Sequence, residues 1–112
     1  MDKKEEMLMQ NIKEFYSEGN SAFDRGSFNT ATSLYFKALA VLADWIILKK
    51  EGFIPKNHTD RFRILEQKFP EIYDLLDKDF PAYQDSYSLS LDKDTAKVLK
   101  DDFKKIAQKV GF

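Results

Sequence analysis

His58, the only histidine of the chain, lies among the side chains best suited to acid–base chemistry or anion binding. Lys56 and Asn57 precede it, and Arg61 and Arg63 follow it. Imidazole titrates near neutral pH, so His58 could act as an acid, a base or a pH-dependent hydrogen-bond donor. Arginine offers phosphate a fork of donors, and lysine offers a point charge. We therefore predict that a ligand-binding site, if there is one, contains these five residues.

A single histidine restricts the catalysis that such a site could perform. General acid–base cleavage of RNA needs a second group, which here would be a lysine or a tyrosine. Two other interpretations stay open: His58 binds a phosphate or a partner carboxylate, or it caps a helix or bonds a turn carbonyl. We assign no catalytic residue, and His58 would take that role if the protein were an enzyme.

The composition excludes several kinds of site. The chain has no cysteine, which excludes disulfides, thiolate metal ligands and a cysteine nucleophile. One histidine and scattered carboxylates give no metal-ligand spacing. The paired acids Asp101-Asp102 and Asp92-x-Asp94 point to different helix faces and read as solvated surface. No glycine-rich phosphate loop is present. We expect no metal and no cofactor.

The apolar residues that must position the site recur with helical spacing along most of the chain. Arg25-Gly26-Ser27 should end a first helix and cap a second over about 28–50. A short third helix should begin near Asn57 or His58, and Pro70 suits the first turn of a fourth.

Later in the chain, Pro81 should kink or interrupt the fourth helix, and Ser90 should cap a fifth. The 112 residues suit one domain, residues 1–112. The prediction is an all-α, up-and-down antiparallel bundle of four to five helices.

The second helix is apolar over more than half of its circumference. A helix this broad must bury more than one side, either inside a bundle or against another molecule. We expect a homodimer with Tyr35, Leu39 and Ile47 at or beside the contact. Trp45 should be largely buried.

The sequence also predicts the cellular location of the protein. Lys37 and Asp44 interrupt its longest apolar run, which stays below the roughly 18–20 residues of a membrane span. The charged start, Met1 to Glu6, lacks the apolar block of a signal peptide. We expect a cytoplasmic protein without membrane contact.

Charge is unevenly distributed although the formal net charge is only −1. Acidic residues dominate 71–94, and basic residues dominate 49–63 and 97–109. In an antiparallel bundle, the end of the second helix, the His58 turn, and the start and end of the chain would gather at one basic end. Such an end attracts phosphate, although lysines near helix C-termini also simply complement the helix dipole.

The first two helices resemble one tetratricopeptide repeat at residues 15–43. The matching large and small positions are Phe15, Gly19, Ala22, Gly26, Phe28, Ala31, Tyr35 and Ala38. A repeat needs stacked neighbours to bury its face, and no copy follows at a period of about 34 residues. A repeat-like peptide-binding scaffold is therefore the third functional alternative.

A second resemblance covers most of the chain. Its features are Tyr35-Phe36-x-Ala38 on a long helix, the turn Gly52–His58 with Pro-Lys-x-His, a short helix with Phe62 and Phe69, and Tyr83-x-x-x-Tyr87. The chain resembles the HEPN family (higher eukaryotes and prokaryotes nucleotide-binding domain) in its small stand-alone prokaryotic or archaeal form. The resemblance implies a helical bundle, frequent homodimers and frequent pairing with a minimal nucleotidyltransferase in toxin–antitoxin operons.

The resemblance also implies ribonuclease activity in many members, through an arginine separated from a following histidine by four to six residues. Here Glu51, Gly52 and Phe53 occupy the region where that arginine would stand, and Arg61 and Arg63 follow His58 instead. The chain therefore predicts a non-catalytic binding module that contacts RNA, a nucleotide or a partner protein at the basic end. A HEPN-type ribonuclease using His58 is the alternative.

Overall fold

The computed structural model describes residues 2–112 as five α-helices, with no β-strand in that range. The helices are α1 (Lys3–Asp24), α2 (Phe28–Glu51), α3 (His58–Lys68), α4 (Pro70–Asp85) and α5 (Lys93–Lys109). The prediction of an all-α helical bundle is confirmed.

The helix boundaries follow the local signals, with two exceptions. Gly26 has a φ of +79°, the left-handed conformation that glycine tolerates after a helix, and Pro70 opens α4. Pro81 does not interrupt α4, which continues to Asp85. The prediction that Ser90 caps the fifth helix is wrong. Asp92 is the cap, and its carboxylate accepts the Thr95 backbone N–H at 2.9 Å and the Thr95 hydroxyl at 2.8 Å.

The pairing of α1 with α2 is antiparallel. Glu5, in the first turn of α1, forms an ion pair of 3.2 Å with Lys49 near the end of α2. Asn20, near the end of α1, accepts the Tyr35 hydroxyl at 2.6 Å. Gly19 makes this close approach possible, because a Cβ there would lie 2.9 Å from the Tyr35 ring.

Helix α3 runs in the same direction as α2, which breaks the strict alternation expected of an up-and-down bundle. Arg61 pairs with Asp44, and seven residues later in both helices Lys68 pairs with Glu51. Because the residue number increases by seven in both helices from one ion pair to the next, the two helices run in the same direction. The segment between Gly52 and Asn57 therefore carries the chain back along the bundle before α3 begins.

Helices α4 and α5 complete the bundle around α2. Tyr83 of α4 stacks on Phe36 of α2, and Lys109 at the end of α5 pairs with Glu71 at the start of α4. The Asn29 side chain of α2 fastens the connection between α4 and α5, since it accepts the Leu91 N–H at 2.9 Å.

The central position of α2 corrects the predicted dimer contact. Tyr35, Leu39 and Ile47 are all 0% exposed within a single chain. Because α2 contacts each of the other four helices, its wide apolar circumference is used inside the bundle. These three residues therefore form no contact surface for a second copy.

Helix α2 is also long and apolar enough to cross a membrane by length and composition. In the bundle, however, 67% of its most apolar 18-residue window is buried, as in the core helix of a compact domain. The prediction that Trp45 is largely buried is confirmed for most of its side chain, which packs against the core but keeps part of its surface exposed. The ring lies edge-on to Phe112 at 5.5 Å, and its N–H donates to Glu5 at 3.2 Å.

Asp79 is an unusual member of the core. It is 2% exposed, and its Oδ2 has no hydrogen-bond partner among the described residues. Its other oxygen pairs with Lys78 at 3.0 Å, and Lys78 also pairs with Asp102 of α5 at 2.8 Å. Burial, together with the neighbouring Asp102, raises the pKa of Asp79 to about 7.

Candidate functional site

The candidate site is centred on His58, the first residue of α3. The ring is exposed at the surface but lies 5.8 Å from Phe80 and 6.3 Å from Tyr83, both on α4, and 6.5 Å from Phe36 on α2. Asn57 is the N-cap, and its side chain accepts the Asp60 backbone N–H at 2.9 Å. His58 therefore does not cap the helix.

Arg61 joins His58 to the interior. Its guanidinium makes two bonds to the Asp44 carboxylate, from Nε at 2.7 Å and from Nη2 at 2.9 Å. Both side chains are nearly buried, with 11% of Arg61 and 8% of Asp44 exposed. The third nitrogen, Nη1, lies 2.6 Å from His58 Nδ1. Arg61 is thus held by the protein itself, and its fork is already used on Asp44.

This contact determines the state of the imidazole. Arginine has only donors, so the hydrogen bond requires an unprotonated Nδ1 on His58. The neutral ring then carries its proton on Nε2. Burial, followed by the positive charge of Arg61, lowers the pKa of His58, although Asp44 opposes the shift. At neutral pH His58 is therefore an uncharged hydrogen-bond donor.

The remaining predicted residues organise the turn before α3. The Lys56 backbone N–H and the Arg63 guanidinium both donate to the Asp60 carboxylate, at 3.1 and 2.6 Å. Arg63, followed by the Lys56 amide, lowers the pKa of Asp60. The structure brings all five predicted residues into one short segment, but it gives Asn57, Arg61 and Arg63 structural partners.

Three lysines of the predicted basic end do come together, but His58 is not among them, and two of the three are paired with glutamates. Lys49, Lys50 and Lys109 meet around a cavity of about 520 Å³ beside Trp45 and Val110. His58 lies instead beside Phe36, on the order of 20 Å back along α2 at 1.5 Å per residue. The expectation failed because α3 is parallel to α2, which moves its first residue away from the end of α2.

The aromatic residues Tyr83 and Tyr87 were noted in the sequence but were not assigned to the site. Tyr83 stacks on Phe36 at 4.7 Å, and its hydroxyl lies 2.9 Å from that of Tyr87, which is 72% exposed. Burial, together with the Tyr87 hydroxyl, raises the pKa of Tyr83 to about 12, so the Tyr83 hydroxyl stays protonated near neutral pH. The i, i+4 spacing of these tyrosines was visible in the sequence and could have indicated a common surface.

A polar cavity of about 320 Å³ adjoins Tyr87. Its lining includes Thr30, Ser33 and Lys37 of α2 and Ser86 at the end of α4. Lys37 forms no ion pair with another described residue. The surface from His58 to Lys37 therefore combines hydrogen-bond donors, an exposed aromatic ring and one unpaired cation.

Metal binding finds no support in the part of the chain that the structure describes. Within residues 2–112, no three histidine, aspartate or glutamate side chains come together as a possible metal site. The residues around His58 that could act on a ligand are donors and aromatic rings.

Comparison with known proteins gives no relative for this chain. No family model, no curated protein and no solved structure matches it. The HEPN and tetratricopeptide resemblances therefore stay predictions.

Proposed function

We propose that the protein is a HEPN-like binding module that holds RNA or a nucleotide on the surface formed by His58, Tyr83, Tyr87 and Lys37. The observation that carries the proposal is the pairing of a neutral His58 donor with an exposed tyrosine ring. Such a surface suits a nucleobase, which has polar edges and flat faces. Stacking of a base on an aromatic side chain contributes about 1–3 kcal/mol.

The ligand's phosphate would lie near Lys37. The neighbouring Thr30 and Ser33 hydroxyls can donate to phosphate oxygens. Lys56, which is exposed beside His58, supplies a second cation. This placement replaces the basic end as the proposed contact, and it retains Lys56 and His58 from the predicted set.

Binding without cleavage follows from the state of His58. A general base needs a free lone pair, but Nε2 carries the proton and Nδ1 is occupied by Arg61. A neutral imidazole is also a weak acid. The same ring therefore supplies one oriented N–H donor to a ligand and little proton transfer.

The test is RNA and nucleotide binding by a double variant, Lys37→Ala with Tyr87→Ala. We expect a short oligouridylate or ATP to bind the wild type at low salt, and the double variant to bind at least about tenfold more weakly. Lys4→Ala with Met7→Ala is the matched control, because it removes a lysine and an exposed apolar side chain from α1. Absence of binding at low salt, or equal binding by both double variants, would contradict the proposal.

Ribonuclease activity is a second candidate because Arg61 contacts His58. An arginine and a histidine are thus adjacent in space, although their order in the chain is the reverse of that in HEPN ribonucleases. Robust cleavage of labelled RNA by the wild type, lost in a folded His58→Ala variant, would favour the enzyme. Intact RNA in both samples would favour the binding module.

Partnership is the part of the proposal that rests on the resemblance. We propose a homodimer that pairs with a minimal nucleotidyltransferase in a toxin–antitoxin-type system in the cytoplasm. Light scattering tests the dimer, and co-purification with a small nucleotidyltransferase from a neighbouring gene tests the pair. A monomeric mass at micromolar concentration, or no such neighbour, would count against this part alone.

A further inference from the structure

The groove between α1 and α5 has an apolar floor and a basic rim. Its floor includes Ile12, Tyr16, Phe103 and Ala107, and its volume is about 340 Å³. Tyr16 and Phe103 stack across it with ring centroids 4.5 Å apart. No residue of the proposed His58 surface contributes to this groove.

Lysines flank the groove on both sides. Lys13 lines it from α1 and Lys104 from α5. Further along α5, Lys100 and Lys93 lie 5.1 and 5.8 Å from the centre of the Phe23 ring. No aspartate or glutamate lines the groove.

These four lysines are free of ion pairs within the described chain, residues 2–112. Other lysines of the bundle are neutralised: Lys97 by Asp101, Lys109 by Glu71 and Lys78 by Asp102. The positive charge of Lys13 and Lys104 in the groove, and of Lys93 and Lys100 beyond it at Phe23, therefore remains available to a partner.

We propose that this groove binds an amphipathic helical segment of a partner protein, with apolar side chains on one face and aspartate or glutamate along the edges. The apolar floor would take the apolar face, as in other complexes where a helix lies in a groove. The lysines would pair with the acidic edges. Lys93 and Lys104 are eleven residues apart on α5, or roughly 16 Å, which is about three helical turns.

The charge pattern argues against two other occupants. A second copy docked symmetrically through this groove would place its lysine rim against the same rim, and like charges repel. A nucleic acid would satisfy the lysines. It would, however, leave the apolar surface that lines the groove without an apolar counterpart. An acidic amphipathic helix satisfies both features.

The test is an unbiased selection. A display library of helical peptides with randomised surface positions is selected against the full wild-type chain and counter-selected against Lys13→Glu with Lys104→Glu. We expect the enriched peptides to be acidic, with apolar residues at helical spacing, and to shift the amide NMR signals of α1 and α5. Affinity for the charge-reversed variant should fall at least tenfold and should decline with salt.

Lys50→Glu with Lys105→Glu is the matched control, because it changes the net charge equally but outside the groove. Circular dichroism confirms that both variants fold. The proposal is overturned if no peptide is enriched, if enriched peptides are not acidic, or if the two variants lose binding equally. Displacement of the selected peptides by oligouridylate at equal or lower concentration would assign the groove to nucleic acid instead.

Discussion

The ion pair between Arg61 and Asp44 makes a quantitative prediction about stability. Arg61→Leu removes the guanidinium and leaves a carboxylate that is only 8% exposed without its two charge-assisted hydrogen bonds. Removal of one partner from a buried pair costs roughly 3–5 kcal/mol. Since a domain of this size is stable by about 5–15 kcal/mol, the loss should be easily measured.

Urea denaturation followed by circular dichroism measures this loss, and two further variants interpret it. Asp44→Leu combined with Arg61→Leu removes both charges, so it should recover most of the stability lost in Arg61→Leu alone. Arg63→Leu is the control, because Arg63 is 59% exposed in its pair with Asp60 and should contribute about 0–1 kcal/mol.

A second measurement separates the ion pair from general packing. Because Arg61 lowers the pKa of His58, Arg61→Leu should raise that pKa toward its usual range in an NMR titration. A loss below about 1 kcal/mol, or a double variant that is no more stable than Arg61→Leu alone, would refute the buried-pair reasoning. An unchanged His58 titration would refute the contact between Arg61 and His58.

Two further predictions concern the core. The pKa of Asp79 is about 7 in the folded protein, against an ordinary value of 3.8. Between these pH values the folded state holds a proton that the unfolded state has lost, so the free energy of unfolding falls as pH rises through this range. The stability of Asp79→Asn relative to wild type should therefore increase with pH, reaching on the order of 2–4 kcal/mol above pH 7. Urea denaturation at several pH values measures this difference, and an equal pH dependence of the two proteins would contradict the prediction. Gly19→Ala should lower the free energy of unfolding by about 1–2 kcal/mol in urea denaturation, because crowding against Tyr35 outweighs the gain in helix propensity. A higher free energy of unfolding would show that the ring moves aside.

The sequence predicted the helices well because their signals are local. The first-to-second helix boundary needs only Gly26 and the apolar period on either side, and the third helix starts at the polar residues that cap it. Asp92 competes with Ser90 as a cap, and both are good capping residues. Only the position of Thr95, with its N–H and hydroxyl facing one carboxylate, decides between them.

The errors about the dimer contact and the site share one cause, which is the arrangement of the helices around one another. An apolar helix that is buried on all sides by its own chain has the same apolar pattern as one that is half-covered by a second copy. The sequence of α2 alone therefore could not show whether Tyr35 contacts its own chain or a partner. The partnership of Arg61 with Asp44 depends on α3 running parallel to α2. The Gly52–Asn57 segment decides that direction, and no periodic signal within it reports its path.

The same geometry explains how a residue chosen for its chemistry acquires a different role. His58 and Arg61 were grouped as potential ligands because one is titratable and the other binds phosphate. In the fold, Asp44 occupies the arginine, and the arginine in turn occupies Nδ1 of the imidazole. What remains for a ligand is the Nε2–H of a neutral imidazole and the exposed Tyr87 ring, the two groups on which the proposed binding function rests.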